Sequence, residues 1–154
     1  MSPPGAPRNR PPELHLANRQ RALRVDLARI RRLAQAALPL CLAKRGPLDP
    51  VLRGLSEIDV SIVSAAAMSR VHVDFLGLEG PTDVITFPYG EIVVCASVAQ
   101  ENTARYRSAL DDELALYVIH GLLHLNGFDD LTPARAREMH ARQAKILSAA
   151  KRAS

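Results

Sequence analysis

A chain of 154 residues has the size of one domain, and 47% hydrophobic with 23% charged residues argues against a disordered protein. Two cysteines are too few for a disulfide framework or a cysteine-based zinc module, and no apolar run approaches the ~18 residues of a membrane span. The net charge of +4 divides into +7 over 1–50, −8 over 51–130 and +5 over 131–154, and the acidic middle disfavours simple DNA coating. We therefore expect a soluble, cytoplasmic protein.

Hydrophobic periodicity predicts an α+β fold, a small mixed β-sheet packed with about five helices. Residues 1–12, with five prolines, are predicted to form a disordered arm that buries nothing, before a single domain over residues 13–154. The first predicted elements are a strand within 13–21 and a helix that is capped by Asp26 and kinked or ended by Pro39. A strand over 58–62, a short helix from Ser64 to Gly77 and a hairpin of strands 84–87 and 91–95 follow. The last predicted elements are helices over 96–107, 111–126 and from Thr132 onward.

The two basic ends of the chain favour a polyanionic partner. Of the 20 basic residues 17 are Arg, whose planar guanidinium suits phosphate. The first helix carries four of them on its polar face, Arg24, Arg29, Arg31 and Arg32. Nucleic acid is one interpretation of this pattern, and an ordinary solvated helix face is the other.

Two histidines occupy one face of the helix predicted over 111–126. His120 and His124 are four residues apart, so their imidazoles lie on the same side and can bind a single ion. Between them and Asp130 lies Gly127, which can adopt the left-handed conformation that ends a helix. Asp130 itself follows His124 by six residues. Three such ligands leave a fourth position for water, as in catalytic zinc sites. We predict one Zn²⁺ per chain, bound by His120, His124 and Asp130.

The histidines also have a simpler explanation. A lone histidine in an apolar helix is usually a hydrogen-bonded core residue. Two of them between Leu114 and Leu125 are harder to explain in this way, because burying two unpaired imidazoles is costly. His140 is a rival third ligand, although a surface position is the simpler interpretation for it.

The histidine segment resembles the zincin metalloprotease signature, a helical His-Glu-x-x-His followed by Gly and a third ligand. Gly121 stands where such a protease carries its general-base Glu. A peptidase with glycine there lacks its proton acceptor, so the sequence argues against a protease.

With that glycine, residues 120–130 resemble the YbeY family, metal-dependent endoribonucleases of bacterial ribosomal RNA maturation. The family pattern is His-Gly-x-Leu-His-Leu-x-Gly-Tyr-Asp-His, with Phe128 here in place of Tyr. A second segment, 81–88, reads Pro-Thr-Asp-Val-Ile-Thr-Phe-Pro and is similar to the family's Pro-Thr-Asp-Val-Leu-Ser-Phe-Pro. Both motifs lie in the family's order, and the resemblance covers about residues 13–147.

Two residues depart from the family pattern. Asp130 replaces the third histidine ligand of the family, and a carboxylate is a competent zinc ligand. Leu76 lies five residues before Pro81, where family members carry an Arg thought to serve RNA cleavage. His72, one helical turn before Leu76, lies either near the same cleft or at an ordinary half-buried position.

The resemblance implies a zinc-dependent, single-strand-specific endoribonuclease in small-subunit rRNA processing and ribosome assembly. It also implies RNA, and ribosomal small-subunit proteins or assembly GTPases, as partners, with no membrane partner. No catalytic residue is assigned, because Gly121 supplies no base and either water or a ribose 2′-hydroxyl is the nucleophile. Two alternatives remain: a non-catalytic, zinc-stabilised assembly factor that binds RNA, favoured by Leu76, and a metal-dependent hydrolase of another substrate.

Overall fold

A computed structural model describes residues 10–106 and 109–154. Most of the predicted arm, residues 1–9, and the end of the third predicted helix at Arg107 lie outside the described residues. The elements are β1 (Glu13–Asn18), α1 (Leu27–Leu42), a short 3-10 turn (Leu52–Gly54), β2 (Glu57–Val63), α2 (Ala65–Leu76), β3 (Val84–Phe87), β4 (Glu91–Cys95), α3 (Ala96–Tyr106), α4 (Leu110–Leu125) and α5 (Pro133–Ala153). Four strands and five helices over these residues confirm the predicted α+β class.

The four strands form one mixed sheet in the order β1-β2-β4-β3. β1, β2 and β4 are parallel, and β3 pairs antiparallel with β4 through the predicted hairpin. β3 is therefore an edge strand of the described sheet. Its turn ends at Gly90, whose φ of 109° is open to glycine and strained for other residues.

Side chains of the sheet alternate between two hydrophobic clusters. Ile92 and Val94 of β4 face the main core with α1, α4 and α5, whereas Val93 and Cys95 face a smaller cluster under α2. No helix in the described parts of the chain is long and apolar enough to cross a membrane.

The structure corrects two local predictions and gives the end of the first strand. Pro39 does not end α1, which continues to Leu42, because Pro39 lies on the exposed side where a freed carbonyl can be hydrated. β1 lies within the predicted range and ends at Asn18, whose Oδ1 atom accepts a 3.3 Å hydrogen bond from the Gln20 backbone amide and so starts a turn. Pro12, at the end of the predicted arm, is buried rather than free.

The two cysteines are buried and unpaired. Burial raises the pKa of the Cys41 thiol to about 12. The Cys95 Sγ atom lies 3.3 Å from the Ser97 hydroxyl. Both side chains therefore act as small core residues.

One buried carboxylate joins the three helices of the main core. Asp112 of α4 accepts hydrogen bonds from Arg29 of α1 at 2.7 Å and from Lys151 of α5 at 2.8 Å. Arg29 is thus committed to the fold, which corrects its grouping with the phosphate-binding arginines of the first helix. Burial alone would raise the pKa of Asp112, but the bonds from Lys151 and Arg29 outweigh it and hold the pKa below its usual value.

We expect Asp112→Asn to lower the free energy of unfolding by about 2 kcal/mol at pH 7, because two charge-assisted hydrogen bonds are weakened. Since the folded pKa is depressed, this stability is present above the unfolded pKa of ~3.9 and is lost as the pH falls through the folded value. Urea unfolding at pH 7 and pH 2.5 measures the difference, with the exposed Glu101→Gln as the control. An equal loss at both pH values would contradict this assignment.

Candidate metal centre

The two predicted histidine ligands meet on the last turns of α4. The Nε2 atoms of His120 and His124 are 3.0 Å apart, and their rings are nearly perpendicular at 82°. Their side chains are 15% and 28% exposed, so the pair lies at the boundary between the core and a solvent-accessible cleft. This is the juxtaposition that the spacing of four residues predicts.

Hydrogen bonds to the other ring nitrogens decide which atoms face each other. The Nδ1 atom of His124 lies 3.0 Å from the Phe128 carbonyl oxygen, which can only accept, so Nδ1 carries the proton. His120 makes the matching contact, with its Nδ1 2.8 Å from the Gln143 side-chain oxygen. Each neutral imidazole is then left with an Nε2 lone pair. Two lone pairs directed at the same point repel each other unless a cation lies between them, so this donor set fits a bound metal.

Asp130 completes the group. Its carboxylate oxygens lie 3.7 Å from His120 Nε2 and 4.0 Å from His124 Nε2. The three candidate ligand atoms lie within 4.8 Å of one another. The structure therefore brings together His120, His124 and Asp130, and a set of two imidazoles and one carboxylate suits zinc and other divalent transition metals.

The loop that carries Asp130 is held by the residue before it. Asp129 is buried, and its carboxylate accepts a 2.9 Å bond from the Leu131 amide and a 3.1 Å bond from Arg135 of α5. With these bonds Asp129 is occupied in fixing the loop, whereas Asp130 is free to face the histidines. Adjacent acids thus have separate roles.

The turn between His124 and Asp130 is anchored by a segment far away in the sequence. Gly127 ends α4 with a φ of 94°, and the buried Asn126 side chain donates to the carbonyls of Cys41 and Lys44 at 2.8 and 2.9 Å. Gly46 donates its backbone amide to the Asn126 carbonyl at 2.8 Å. The position of the Phe128 carbonyl, and hence of His124, depends on this support.

Burial and the neighbouring His120 lower the pKa of His124, while Asp130 and the Phe128 carbonyl act in the opposite direction. The lowered pKa keeps His124 neutral at pH values where an exposed histidine is partly protonated. A neutral imidazole is the form that binds a metal.

Other candidate ligands lie elsewhere. His140 is exposed on α5 and is not part of the cluster, so the structure does not support it as the rival third ligand. A second group that could hold an ion, Glu13, His15 and Glu57, is exposed on β1 and β2. It lacks the buried partners that orient the imidazoles at the α4 group.

A cleft of about 580 Å³ opens beside the α4 group. His124 lines one side, and His72, Leu76 and the residues of β3 line the other. The structure thus places His72 in the cleft, one of the two positions that the sequence left open for it. The Nδ1 atom of His72 donates to the Gly80 carbonyl at 2.8 Å and ties α2 to the loop before Pro81.

A family model described as endoribonuclease YbeY matches residues 15–151. The chain belongs to the YbeY family. A relative named endoribonuclease YbeY from Frankia casuarinae is 33% identical over an alignment of 153 positions, which covers 86% of this chain and 72% of the relative. The protein of the same name from Leifsonia xyli is 38% identical over an alignment of 109 positions, which covers 60% of this chain and 71% of that relative.

The relatives differ in length. The endoribonuclease YbeY of Corynebacterium efficiens is 35% identical over an alignment of 113 positions, which covers 60% of this chain and 56% of the relative. Among solved structures, the solution structure of a Thermotoga maritima protein matches with a TM-score of 0.59 and 26% identity, covering 90% of this chain and 87% of that one. This likeness supports the fold over nearly the whole chain.

The structure also explains the glycine that separates the YbeY motif from the protease signature. Gly121 lies against β4, where an added Cβ would be 2.8 Å from the Ile92 side chain. Residue 121 therefore packs on the sheet, and a glutamate there would have to displace the core before it could reach the cleft. The same close packing seats α4 on the sheet.

Two residues of the centre have no signal in the sequence. Gln143 orients His120 from 23 positions away, because α5 packs on α4. Asn126 is an ordinary residue of the motif by sequence, and its buried contacts with Cys41 and Lys44 appear only in the folded chain. Gly127 is different, since its place after the histidine helix predicts the turn that the structure has.

Proposed function

We propose that this protein is a zinc-dependent endoribonuclease that cuts single-stranded RNA. The observation that carries the proposal is the convergence of two imidazole lone pairs and the Asp130 carboxylate at the mouth of a cleft. Membership of the YbeY family, and the name endoribonuclease YbeY that its relatives bear, support the reaction.

In this proposal His120, His124 and Asp130 hold the ion, which when bound supplies Lewis-acid chemistry toward a phosphoryl oxygen. Gln143 and the Phe128 carbonyl keep both Nδ1 atoms protonated and so direct both Nε2 atoms to the same point. Gly121 contributes no base, and among the described residues that line the cleft α4 supplies only His124 and Leu125.

The substrate proposed is RNA of the small ribosomal subunit, processed in the cytoplasm during ribosome assembly. Family membership supports this role, and ribosomal small-subunit proteins or assembly GTPases are the partners that it implies. The arginines of α1 and α5 that are not committed to the fold, such as Arg32 and Arg137, are exposed and suited to phosphate contacts. These contacts make RNA binding sensitive to salt.

The test is cleavage of an unstructured RNA by the purified, zinc-loaded chain. We expect cleavage of the single strand, at least 100-fold slower cleavage of a matched duplex, and loss of both zinc and activity in His124→Ala. The control is His140→Ala, which removes an exposed histidine outside the cluster. An equal effect of the two substitutions, or no metal in either the parent chain or His140→Ala, would refute the proposed centre.

The second candidate is a non-catalytic, zinc-stabilised factor that binds RNA during assembly. Leu76 favours it, because Leu76 is 53% exposed and lines the cleft where family members carry an Arg. Among the described residues that line this cleft there is no Lys or Arg to stabilise charge on a phosphate. Zinc and RNA binding without cleavage would select this candidate, and Leu76→Arg would then be the substitution that restores cleavage.

A further inference from the structure

Three aromatic rings form a continuous surface next to the cleft. Phe75 at the end of α2 contacts Phe87 edge to face, with centroids 5.3 Å apart. Phe87 stacks on Tyr89 of the β3–β4 turn, with centroids 5.5 Å apart and planes 21° apart. We call Phe75, Phe87 and Tyr89 the aromatic platform.

The platform is an exposed surface rather than a piece of core. Phe75 and Tyr89 are 65% and 66% exposed, and Leu76 and Leu78 beside them are also exposed. Aromatic residues make up only 4% of the chain, and three of its six Phe and Tyr residues are gathered here. Tyr89 is held in place because its hydroxyl donates to a Glu91 carboxylate oxygen at 2.6 Å. An ordered, exposed ring system of this kind indicates a ligand with a flat apolar face.

The platform continues into the cleft of the proposed metal centre. Phe75 and Phe87 line the same 580 Å³ cleft as His124. Thr86 also lines it, although its hydroxyl oxygen is buried. A ligand here thus meets aromatic faces and the polar side chains of Asp49, His72 and Thr82, and it meets no Lys or Arg among the described lining residues.

We propose that the aromatic platform is a nucleobase-stacking subsite that holds an unpaired base of RNA next to the metal centre. The inference rests on the proposed function and adds the part of the substrate that this wall recognises. A strand whose phosphate lies at His124 must pass its neighbouring nucleotides along the cleft. Bases stack on aromatic rings in a way that tolerates any sequence, and the lack of cationic side chains suits a base better than a phosphate.

The subsite gives single-strand specificity a physical cause. In a duplex both faces of each base are covered by neighbouring bases, so a base reaches the platform only after unstacking. A base of a single strand has no pairing partner and leaves the stack at a much smaller cost. The platform therefore discriminates between single-stranded and double-stranded RNA by how readily a base face can reach it.

The experiment uses the absence of tryptophan in the full chain. Phe75→Trp places a single fluorophore on the platform, and we expect a 2′-O-methyl hexa-adenylate to quench its emission on binding. The same strand carrying abasic riboses has the same charge without bases, and we expect it to leave the emission unchanged. Phe75→Ala and Tyr89→Ala should each weaken hexa-adenylate binding by about 5-fold or more, given the usual energy of base–aromatic stacking.

Two controls separate stacking from general damage. Tyr89→Phe keeps the ring and should bind within about 2-fold of the parent chain, while Leu40→Ala removes an exposed apolar residue of α1 away from the cleft and should have no effect. Equal binding of the base-containing and abasic strands would overturn the inference. The inference would also be overturned if the platform serves to dimerise the chain. In that case the chain would self-associate, Phe75→Ala would abolish the self-association, and hexa-adenylate would cause no quenching.

The outcomes also distinguish the subsite from the proposed function. If Phe75→Ala and Tyr89→Ala cut single-stranded RNA as fast as the parent chain, and hexa-adenylate causes no quenching, the subsite is refuted and the proposed nuclease activity stands. If hexa-adenylate quenches the emission and the alanine variants bind it more weakly, but the chain cuts no RNA, the subsite stands and the proposed nuclease activity is refuted.

Discussion

Asp130→Ala is expected to reduce the zinc affinity of the chain more than about 100-fold. Loss of contacts outside the ligand shell typically costs 10–100-fold, and the loss of a ligand exceeds this. Asp129→Ala should stay within that smaller range, because its carboxylate contacts Leu131 and Arg135 rather than the histidines. Asp130→His should keep the metal, since histidine is what the family pattern has at this position. Competition with a chromophoric zinc chelator ranks all three variants in one titration.

Two results would contradict the ligand assignment. One is a chain that keeps zinc after Asp130→Ala and loses it after His140→Ala, although His140 is exposed and outside the cluster. The other is a larger loss of zinc affinity in Asp129→Ala than in Asp130→Ala. Zinc binding would then depend more on the loop conformation than on the Asp130 carboxylate. Circular dichroism of each variant without metal separates the loss of a ligand from the loss of the fold.

Gly46→Ala is expected to lower the free energy of unfolding by about 3 kcal/mol or more. An added Cβ would lie 2.2 Å from the backbone carbon and oxygen of Gly127 and 2.5 Å from the Phe128 nitrogen. The clash falls on backbone atoms that hydrogen bonds hold in place, so no side chain can rotate away to relieve it. Because the Phe128 carbonyl orients His124, zinc affinity should fall together with stability.

The matched control for this substitution is Gly54→Ala. Gly54 is exposed, and an added Cβ has no neighbour within 4 Å, so we expect a change within about 0.5 kcal/mol. Thermal unfolding with and without excess zinc measures both effects. If the two alanine variants unfold at the same temperature, the close approach of the two segments does not exist in solution.

The sequence predicts the parts of this molecule that depend on local pattern. The i, i+4 spacing places His120 and His124 together, and Thr132 and Asp26 cap their helices as their residue types predict. The short strands at 84–87 and 91–95 follow from β-branched runs around a Pro-Tyr-Gly turn. In each case the determining interactions lie within a few residues of one another.

Other parts of the site depend on contacts between distant segments. Gly46 reads as a loop glycine, and its close approach to Gly127 requires 80 residues of intervening structure to be in place. Gln143 reads as a polar helix residue, and its contact with His120 depends on how α5 crosses α4. The aromatic platform joins residues of α2 and of the β3–β4 turn, which are brought together by the sheet order. Spacing rules do not capture such contacts.

The burial of the two cysteines affects how the protein reacts with oxidants such as peroxide. The thiolate is the nucleophile that attacks peroxide, and burial keeps the Cys41 thiol protonated and encloses Cys95 in the core. The proposed metal ligands are nitrogen and oxygen atoms, so the centre presents no sulfur to oxidise. Peroxide that releases zinc from thiolate sites therefore finds no thiolate ligand at this centre, so zinc binding should persist under peroxide treatment that strips zinc from cysteine-based sites.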